Sequence, residues 1–155
     1  MNSNFNISFT GEYRYTIDQK NRINIPAKYR KALKPVNDRT FVLTQGFDNC
    51  LLLYPLDEWQ VVEQQLSLLS SMKQKHRTFV RSIVRFATYV QFDSQGRIQI
   101  PDSLTKYANI SKDVVFIGMI KKIEIWDPAE LKKYETAKLN IDSEDFEDLA
   151  NDINF

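Results

Sequence analysis

Asp18-Gln19-Lys20-Asn21-Arg22-Ile23-Asn24-Ile25-Pro26 occurs a second time as Asp93-Ser94-Gln95-Gly96-Arg97-Ile98-Gln99-Ile100-Pro101. Asp, Arg, Ile, Ile and Pro keep their places under a shift of 75 positions. In each copy, Arg-Ile-x-Ile alternates polar and apolar residues, which predicts a short strand with both isoleucines on one face. The proline cannot donate to a ladder and suits the first turn of a helix, so it predicts where strand gives way to helix. The four residues before the Arg form the turn at a hairpin tip, joining this strand to the one before it, and Asn21 and Gly96 tolerate the positive φ that such a turn needs.

The repetition extends outward. The strand pattern Glu12–Ile17 returns at Thr88–Phe92, and the short helix Ala27–Leu33 returns at Asp102–Ala108. Strands are predicted at 41–44 and 50–54, and again at 114–117 and 122–126, with Trp126 standing for Tyr54. Past the short helix the shift falls to 72, which places Gly118 at the position of Gly46. Helix starts follow at Pro55-Leu56-Asp57 and Asp127-Pro128-Ala129. Ordered recurrence of turn, glycine, aromatic and helix start is the signature of internal duplication. The reading is two repeats, 9–59 and 87–135, joined by connecting helices over 60–86, with an acidic tail over 140–155.

The connecting segment holds Trp59, Val62, Leu66 and Leu69 at helical spacing, then a second helix with Phe79, Ile83 and Phe86 on one face. That second helix also carries Lys73, Lys75, Arg77, Arg81 and Arg85. The basic residues fit either a solvated face or a phosphate-facing stripe. His76 is expected as a solvated helix-face residue, and Asp57-Glu58 as compensation for a helix N-terminus.

Charge is divided along the chain. Of 21 Lys and Arg and 20 Asp and Glu, six acids and no bases lie after Asn140. The body therefore carries about +7 and the tail −6, the asymmetry of a body that binds a polyanion. The tail is too poor in apolar residues to fold alone and is expected to be disordered or weakly helical. It could compete with DNA for the basic body, or its Phe146, Leu149, Ile153 and Phe155 could dock a partner.

Catalysis finds no support. The four glycines make no phosphate loop, and neither G-x-S-x-G nor H-E-x-x-H is present. A lone Cys50, next to Leu51-Leu52-Leu53, reads as a buried apolar residue rather than a reactive thiol or metal ligand. No metal, cofactor or small-molecule substrate is expected. No run of about twenty apolar residues exists and no signal pattern opens the chain, so a cytoplasmic protein is expected, nucleoid-associated if the polyanion it binds is DNA.

The chemistry that remains is the doubled loop. An Asp carboxylate can bond the N–H groups ahead of it and pair with the Arg four places on. The bland role is a clasp that fixes the turn, assigned to Asp18 and Asp93 together with Asn21 and Gly96. The functional role belongs to the Arg, which keeps donors free for a phosphate or a guanine edge. Arg22 and Arg97 are the candidates, with Lys20, Lys28 and, on electrostatic grounds, Arg14 around the first copy. The second copy has Gln95, Ser103 and Thr105 where the first has Lys20, Lys28 and Arg30. The first loop should therefore grip DNA harder, and the second should serve mainly as scaffold.

These loops resemble the SpoVT-AbrB type of swapped-hairpin DNA-binding module. With Gly11-Glu12-Tyr13, Gly46-x-Asp48-Asn49-Cys50-Leu51-x-Leu53-Tyr54-Pro55-Leu56-x-x-Trp59 and Ile123-Glu124-Ile125-Trp126-Asp127, residues 9–135 resemble the MraZ family. The resemblance implies an α/β fold of two interlocked hairpin halves closing a small pseudo-symmetric β-barrel with flanking helices. It implies homo-oligomeric rings. It also implies transcriptional regulation of the division and cell-wall gene cluster, through binding of double-stranded DNA at short promoter direct repeats. In the family's motif the Arg is the main DNA-reading residue, a role that carries over to Arg22 and Arg97; Lys20 fits the basic loop position. Asn21 departs from the usual Gly and Gly96 keeps it. Relatives of the swapped-hairpin fold also act as antitoxins, which leaves a protein-interaction module as the alternative.

Overall fold

A computed structural model describes residues 8–137 and 142–153. The first repeat runs β1 (Glu12–Thr16), β2 (Arg22–Asn24), α1 (Ala27–Ala32), β3 (Thr40–Gln45), β4 (Leu51–Pro55) and α2 (Leu56–Ser67), with a short 3-10 turn at Pro35–Asn37. After α3 (Gln74–Val84), the second repeat runs β5 (Thr88–Gln91), β6 (Arg97–Gln99), α4 (Asp102–Tyr107), β7 (Asp113–Gly118), β8 (Ile123–Trp126) and α5 (Pro128–Thr136), and α6 (Ser143–Asp152) ends the chain.

Six strands form one antiparallel sheet in the order β1-β7-β8-β4-β3-β5, and β2 pairs with β6 in a separate two-stranded ribbon. The order is a palindrome. β3–β4 and β7–β8 are hairpins within a repeat, while β1 pairs with β7 and β5 with β3. Each repeat thus lends its first strand to the other repeat's hairpin. Two expectations are corrected here. The strands on either side of each D-x-x-x-R turn do not pair with one another; the strand after the turn pairs with its own counterpart. Among the described residues the sheet is also not a closed barrel, since β1 and β5 remain its two edges.

Pairing also corrects the alignment of the repeats. Thr44 stands opposite Leu52, and Ile117 opposite Glu124. With Leu52 equivalent to Glu124 about the β4–β8 pair, Ile117 corresponds to Thr44 and Gly118 to Gln45. The second repeat is shorter by two residues before this hairpin and by one in its turn. Gly118 and Gly46 are glycines for different reasons. A Cβ on Gly118 would lie 2.4 Å from the Thr10 backbone nitrogen, and one on Gly46 would lie 2.8 Å from the Cys50 sulfur.

The alternation of apolar residues sorts the molecule into layers. Phe41, Leu43, Leu51, Leu53 and their counterparts Val114, Phe116, Ile123 and Ile125 face the ribbon, where Ile23, Ile25, Ile98 and Ile100 are all at most 2% exposed. Burying each such side chain stabilises the fold by about 1.5–3 kcal/mol, so the four motif isoleucines fasten the ribbon to the sheet. The opposite face of the sheet carries helices. Cys50, Val115, Trp126 and α5's Leu131 form a second cluster there, and Thr44 donates to the Ile83 carbonyl of α3. Cys50 is 1% exposed and burial pushes its thiol far up, as expected of a packing residue.

Three local readings are refined. His76 is not a free solvated residue: its Nδ1 accepts the Ser70 N–H at 3.0 Å and fixes the turn between α2 and α3. Asp57 and Glu58 lie in the first turn of α2, but the Asp57 N–H is taken by the buried Asn37 side chain, at 2.7 Å. The tail is helical over Ser143–Asp152, although composition predicted little structure. Asp142 caps it by accepting the Asp145 N–H, and Glu144 and Asp145 offset the macrodipole. Residues 140, 141, 154 and 155, including the tail's Phe155, lie outside the described residues.

Candidate nucleic-acid interface

The two D-x-x-x-R loops have the same internal geometry. Asp18 Oδ1 accepts the N–H groups of Lys20 (2.9 Å) and Arg22 (2.8 Å), and its Oδ2 accepts Arg22 Nε–H at 2.8 Å. Asp93 Oδ1 accepts from Gln95 (2.9 Å) and Arg97 (3.0 Å), and its Oδ2 accepts Arg97 Nε–H at 3.0 Å. The backbone N–H of each Arg, foremost, and then its side chain and the second backbone N–H, hold each carboxyl below the usual Asp range. Such exposed pairs contribute little stability; their effect is orientation. Each Asp uses the Nε edge of its Arg, and among the described residues no protein acceptor is bonded to the terminal guanidinium nitrogens. Arg22 and Arg97 side chains are 34% and 26% exposed, partly sheltered yet reachable.

The ribbon brings the two loops together. Ile25 N–H donates to Gly96 O and Ile100 N–H to Asn21 O, both at 2.8 Å. Ile23 faces Ile98 inward, while Arg22 stands opposite Gln99 and Asn24 opposite Arg97 on the outer face. The two arginines are therefore diagonal neighbours on one surface. Gln99 Nε2 also donates to the Lys20 carbonyl at 3.2 Å. Gln99 and Asn24 belong to this surface and were missed from sequence. Their signal was the repeat itself, which places both at the same outward position.

The other candidates are placed unevenly. Lys20 is exposed at the tip of the first loop, and Lys28 is exposed on α1 beside the ribbon's end. Arg14 is exposed on β1, an edge of the large sheet, and is not part of the ribbon. The basic residues of α3 are not brought to the loops, because α3 lies across the opposite face of the sheet.

Asn21 and Gly96 both have positive φ, 59° and 76°. Their difference has a partner. A Cβ on Gly96 would lie 2.7–2.9 Å from the Arg30 guanidinium, whose Nε donates to the Ile25 carbonyl at 3.0 Å. Thr105 replaces Arg30 in the second repeat, and the first loop carries Asn21 where the second has Gly96. Gly96→Asn should destabilise the chain by about 1 kcal/mol, the worth of the displaced Arg30 bond. After Arg30→Thr the same change should be nearly neutral. A double-mutant cycle read by urea denaturation measures the coupling, expected at about 1 kcal/mol, the difference between the two backgrounds.

Fold and surface together define an internally duplicated, strand-exchanged α/β protein that presents a pair of clamped arginines on one ribbon. Two successive matches to the family model described as "MraZ protein, putative antitoxin-like" span residues 8–82 and 83–152. The chain belongs to the MraZ family. It is 42% identical over 142 residues to a protein of Clostridium tetani, covering 92% of this chain and 94% of that one. It is 42% identical over 135 residues to one of Clostridium beijerinckii, covering 87% and 92%. It is 39% identical over 145 residues to one of Pediococcus pentosaceus, covering 94% and 96%. All three relatives are named transcriptional regulator MraZ, a name that denotes regulation and not a reaction. The second family match runs through α6, a segment that the sequence resemblance had left outside. Among the described residues no helix is long and apolar enough to cross a membrane.

Proposed function

We propose that this chain is a sequence-specific DNA-binding transcription regulator that reads double-stranded DNA with the paired D-x-x-x-R loops. The observation that carries this is the common clamp. Two arginines are held in one orientation by Asp18 and Asp93, side by side on an outward surface, with terminal donors unused among the described residues. A guanidinium so fixed loses little freedom on meeting a guanine edge or a phosphate. Lys20 and Lys28 add sequence-independent attraction to the backbone. Asp18, Asn21, Asp93 and Gly96 brace the loops, and Arg14 is an outlying phosphate contact at most.

One ribbon contacts few base pairs, so discrimination comes from linking several subunits on spaced sites. The reading is a homo-oligomer, ring-shaped, on short direct repeats near the promoter of its own operon in the division and cell-wall gene cluster. It would act in the cytoplasm at the nucleoid. Selection of bound fragments from the organism's sheared genomic DNA tests this. The expected result is enrichment of one promoter region with evenly spaced repeats. Retention of fragments without sequence preference would leave only non-specific binding and sink the proposal.

A second reading is a protein-interaction module, favoured by the antitoxin-like description of the family and by exposed apolar residues such as Phe47, Met72 and Phe79 on the helical side. Recovery of a stoichiometric partner protein with no DNA preference would select it.

A further inference from the structure

Antiparallel strands bring side chains closest at every second pair, and the ribbon's bonds show which pairs those are. Ile25 N–H donates to Gly96 O and Ile100 N–H to Asn21 O, so bonding falls at the pairs Ile25–Gly96 and Asn21–Ile100. By alternation, Arg22–Gln99 and Asn24–Arg97 are the non-bonded pairs, with Cα atoms about 4.5 Å apart and side chains at their nearest. Each of these pairs sets a guanidinium beside a carboxamide on the outer face of the ribbon.

The fold does not account for either carboxamide. Asn is depleted in strands, yet Asn24 sits on β2, exposed, and its side chain makes no hydrogen bond among the described residues. Gln99 is also exposed. It uses one N–H on the Lys20 carbonyl at 3.2 Å, which holds it against the first loop and leaves its second N–H and its Oε1.

We infer that Asn24 and Gln99 determine sequence preference, each reading an adenine edge in the major groove beside the base met by its arginine partner. The inference rests on the DNA reading proposed above and adds residues outside the D-x-x-x-R motif. A carboxamide presents a donor and an acceptor side by side, the match of adenine N7 and N6, as a guanidinium matches guanine O6 and N7. Being neutral, it gains little from the phosphate charge that attracts Arg and Lys, so its contribution falls on sequence. The major groove admits a two-stranded ribbon. Residues two apart on a strand rise about 6.7 Å, close to two base-pair steps of about 3.4 Å, so the two pairs meet separate positions. The halves are also unlike. Gln99 is longer by one methylene and anchored to the first loop; Asn24 is shorter and unanchored among the described residues. That difference gives the ribbon a direction on the duplex.

Selection from randomised duplexes, long enough for several subunits, tests this with the full chain, Asn24→Ala and Gln99→Ala. The unaltered chain should select a sequence that holds both guanines and adenines. Each variant should select the same sequence with one adenine position made indifferent, a different position for each variant, and with the guanines kept. Changing that adenine in a selected fragment should weaken the unaltered chain by roughly ten- to a hundredfold and leave the matching variant unaffected. The slope of log affinity against log salt should not change in either variant, because no charge is removed. Asn24→Ala breaks no hydrogen bond among the described residues, so it tests base reading apart from the Lys20 contact that Gln99→Ala removes. Variants that keep every position overturn the inference. So does a variant that loses all positions together, since its carboxamide would then brace the ribbon instead of reading a base. Absence of any selected sequence for the unaltered chain would defeat the proposed DNA reading and this inference with it; a selected sequence that survives both variants defeats the inference alone.

Discussion

Replacing Arg22 and Arg97 together by alanine should abolish specific DNA binding while leaving the fold intact. Each guanidinium lies outside the core and, among the described residues, is bonded only to its own loop Asp, so its removal costs little stability. A well-made bidentate contact to a base is worth about 1–3 kcal/mol of discrimination. One lost contact therefore weakens a single subunit by roughly ten- to a hundredfold, and the loss compounds when several subunits bind together. Titration on a fluorescent operator fragment and on a scrambled fragment separates two roles. If the arginines read bases, preference for the operator collapses. If they hold phosphates, both fragments weaken alike and the slope of log affinity against log salt falls by about one per contact. Equal geometry in the two loops predicts that Arg97→Ala alone is comparable in effect to Arg22→Ala. That departs from the expectation drawn from charge, in which the second loop was mainly scaffold. Unchanged affinity of the double variant would remove the ribbon as the DNA surface.

The second large effect concerns Gly118. A methyl group there would sit 2.4–2.6 Å from the backbone of Phe9 and Thr10, neither of which can yield as a flexible side chain does. The N-terminal segment is bound at this place by three backbone hydrogen bonds: Gly118 N–H to Gly11 O, Ile120 N–H to Phe9 O, and Phe9 N–H to Ile120 O. Phe9 is 4% exposed and packs edge-on against Tyr29 at 5.7 Å. Gly118→Ala must push this segment off the hairpin and expose Phe9. The loss should approach that of truncating a buried phenylalanine, about 3–5 kcal/mol, a large share of the total for one domain. Thermal unfolding should show a fall in Tm of roughly 6–20 °C. Gly46→Ala should cost less, because its nearest obstruction is the Cys50 side chain. Equal effects at the two glycines would contradict their separate roles.

Much of this was readable before any coordinates. The Asp–Arg clamp follows from the spacing of two residue types around a turn, because its bonds are local. Helices begin where Pro26, Pro55, Pro101 and Pro128 predicted, since a missing N–H is decided by the residue itself. What was not readable is partnership. The alternation of Arg22-Ile23-Asn24-Ile25 fixes which face is buried, but any strand offering an apolar face in register satisfies it. The turn before it suggested β1 as partner, and the actual partner is β6. The sheet's open edges and the one-residue offset of Gly118 are hidden for the same reason: both depend on contacts remote in sequence. The loop asymmetry between Asn21 and Gly96 was visible, while its cause in Arg30 and Thr105 was not. For α6, composition weighed the acids as a solvated charge run and missed that Asp142 starts a helix which groups its few apolar residues on one side.

The exchange of first strands carries a consequence for the molecule's history and for its synthesis on the ribosome. A half-length chain ending after α3 would hold the β3–β4 hairpin but no strand for β1 or β2 to join. It could complete the same palindromic sheet only with a second molecule. The present protein is in effect such a dimer made continuous, and continuity frees its halves to diverge, one loop cationic and one helix acidic. It also means that the emerging N-terminal half stays unfinished until residues 97–99 and 113–118 have been made.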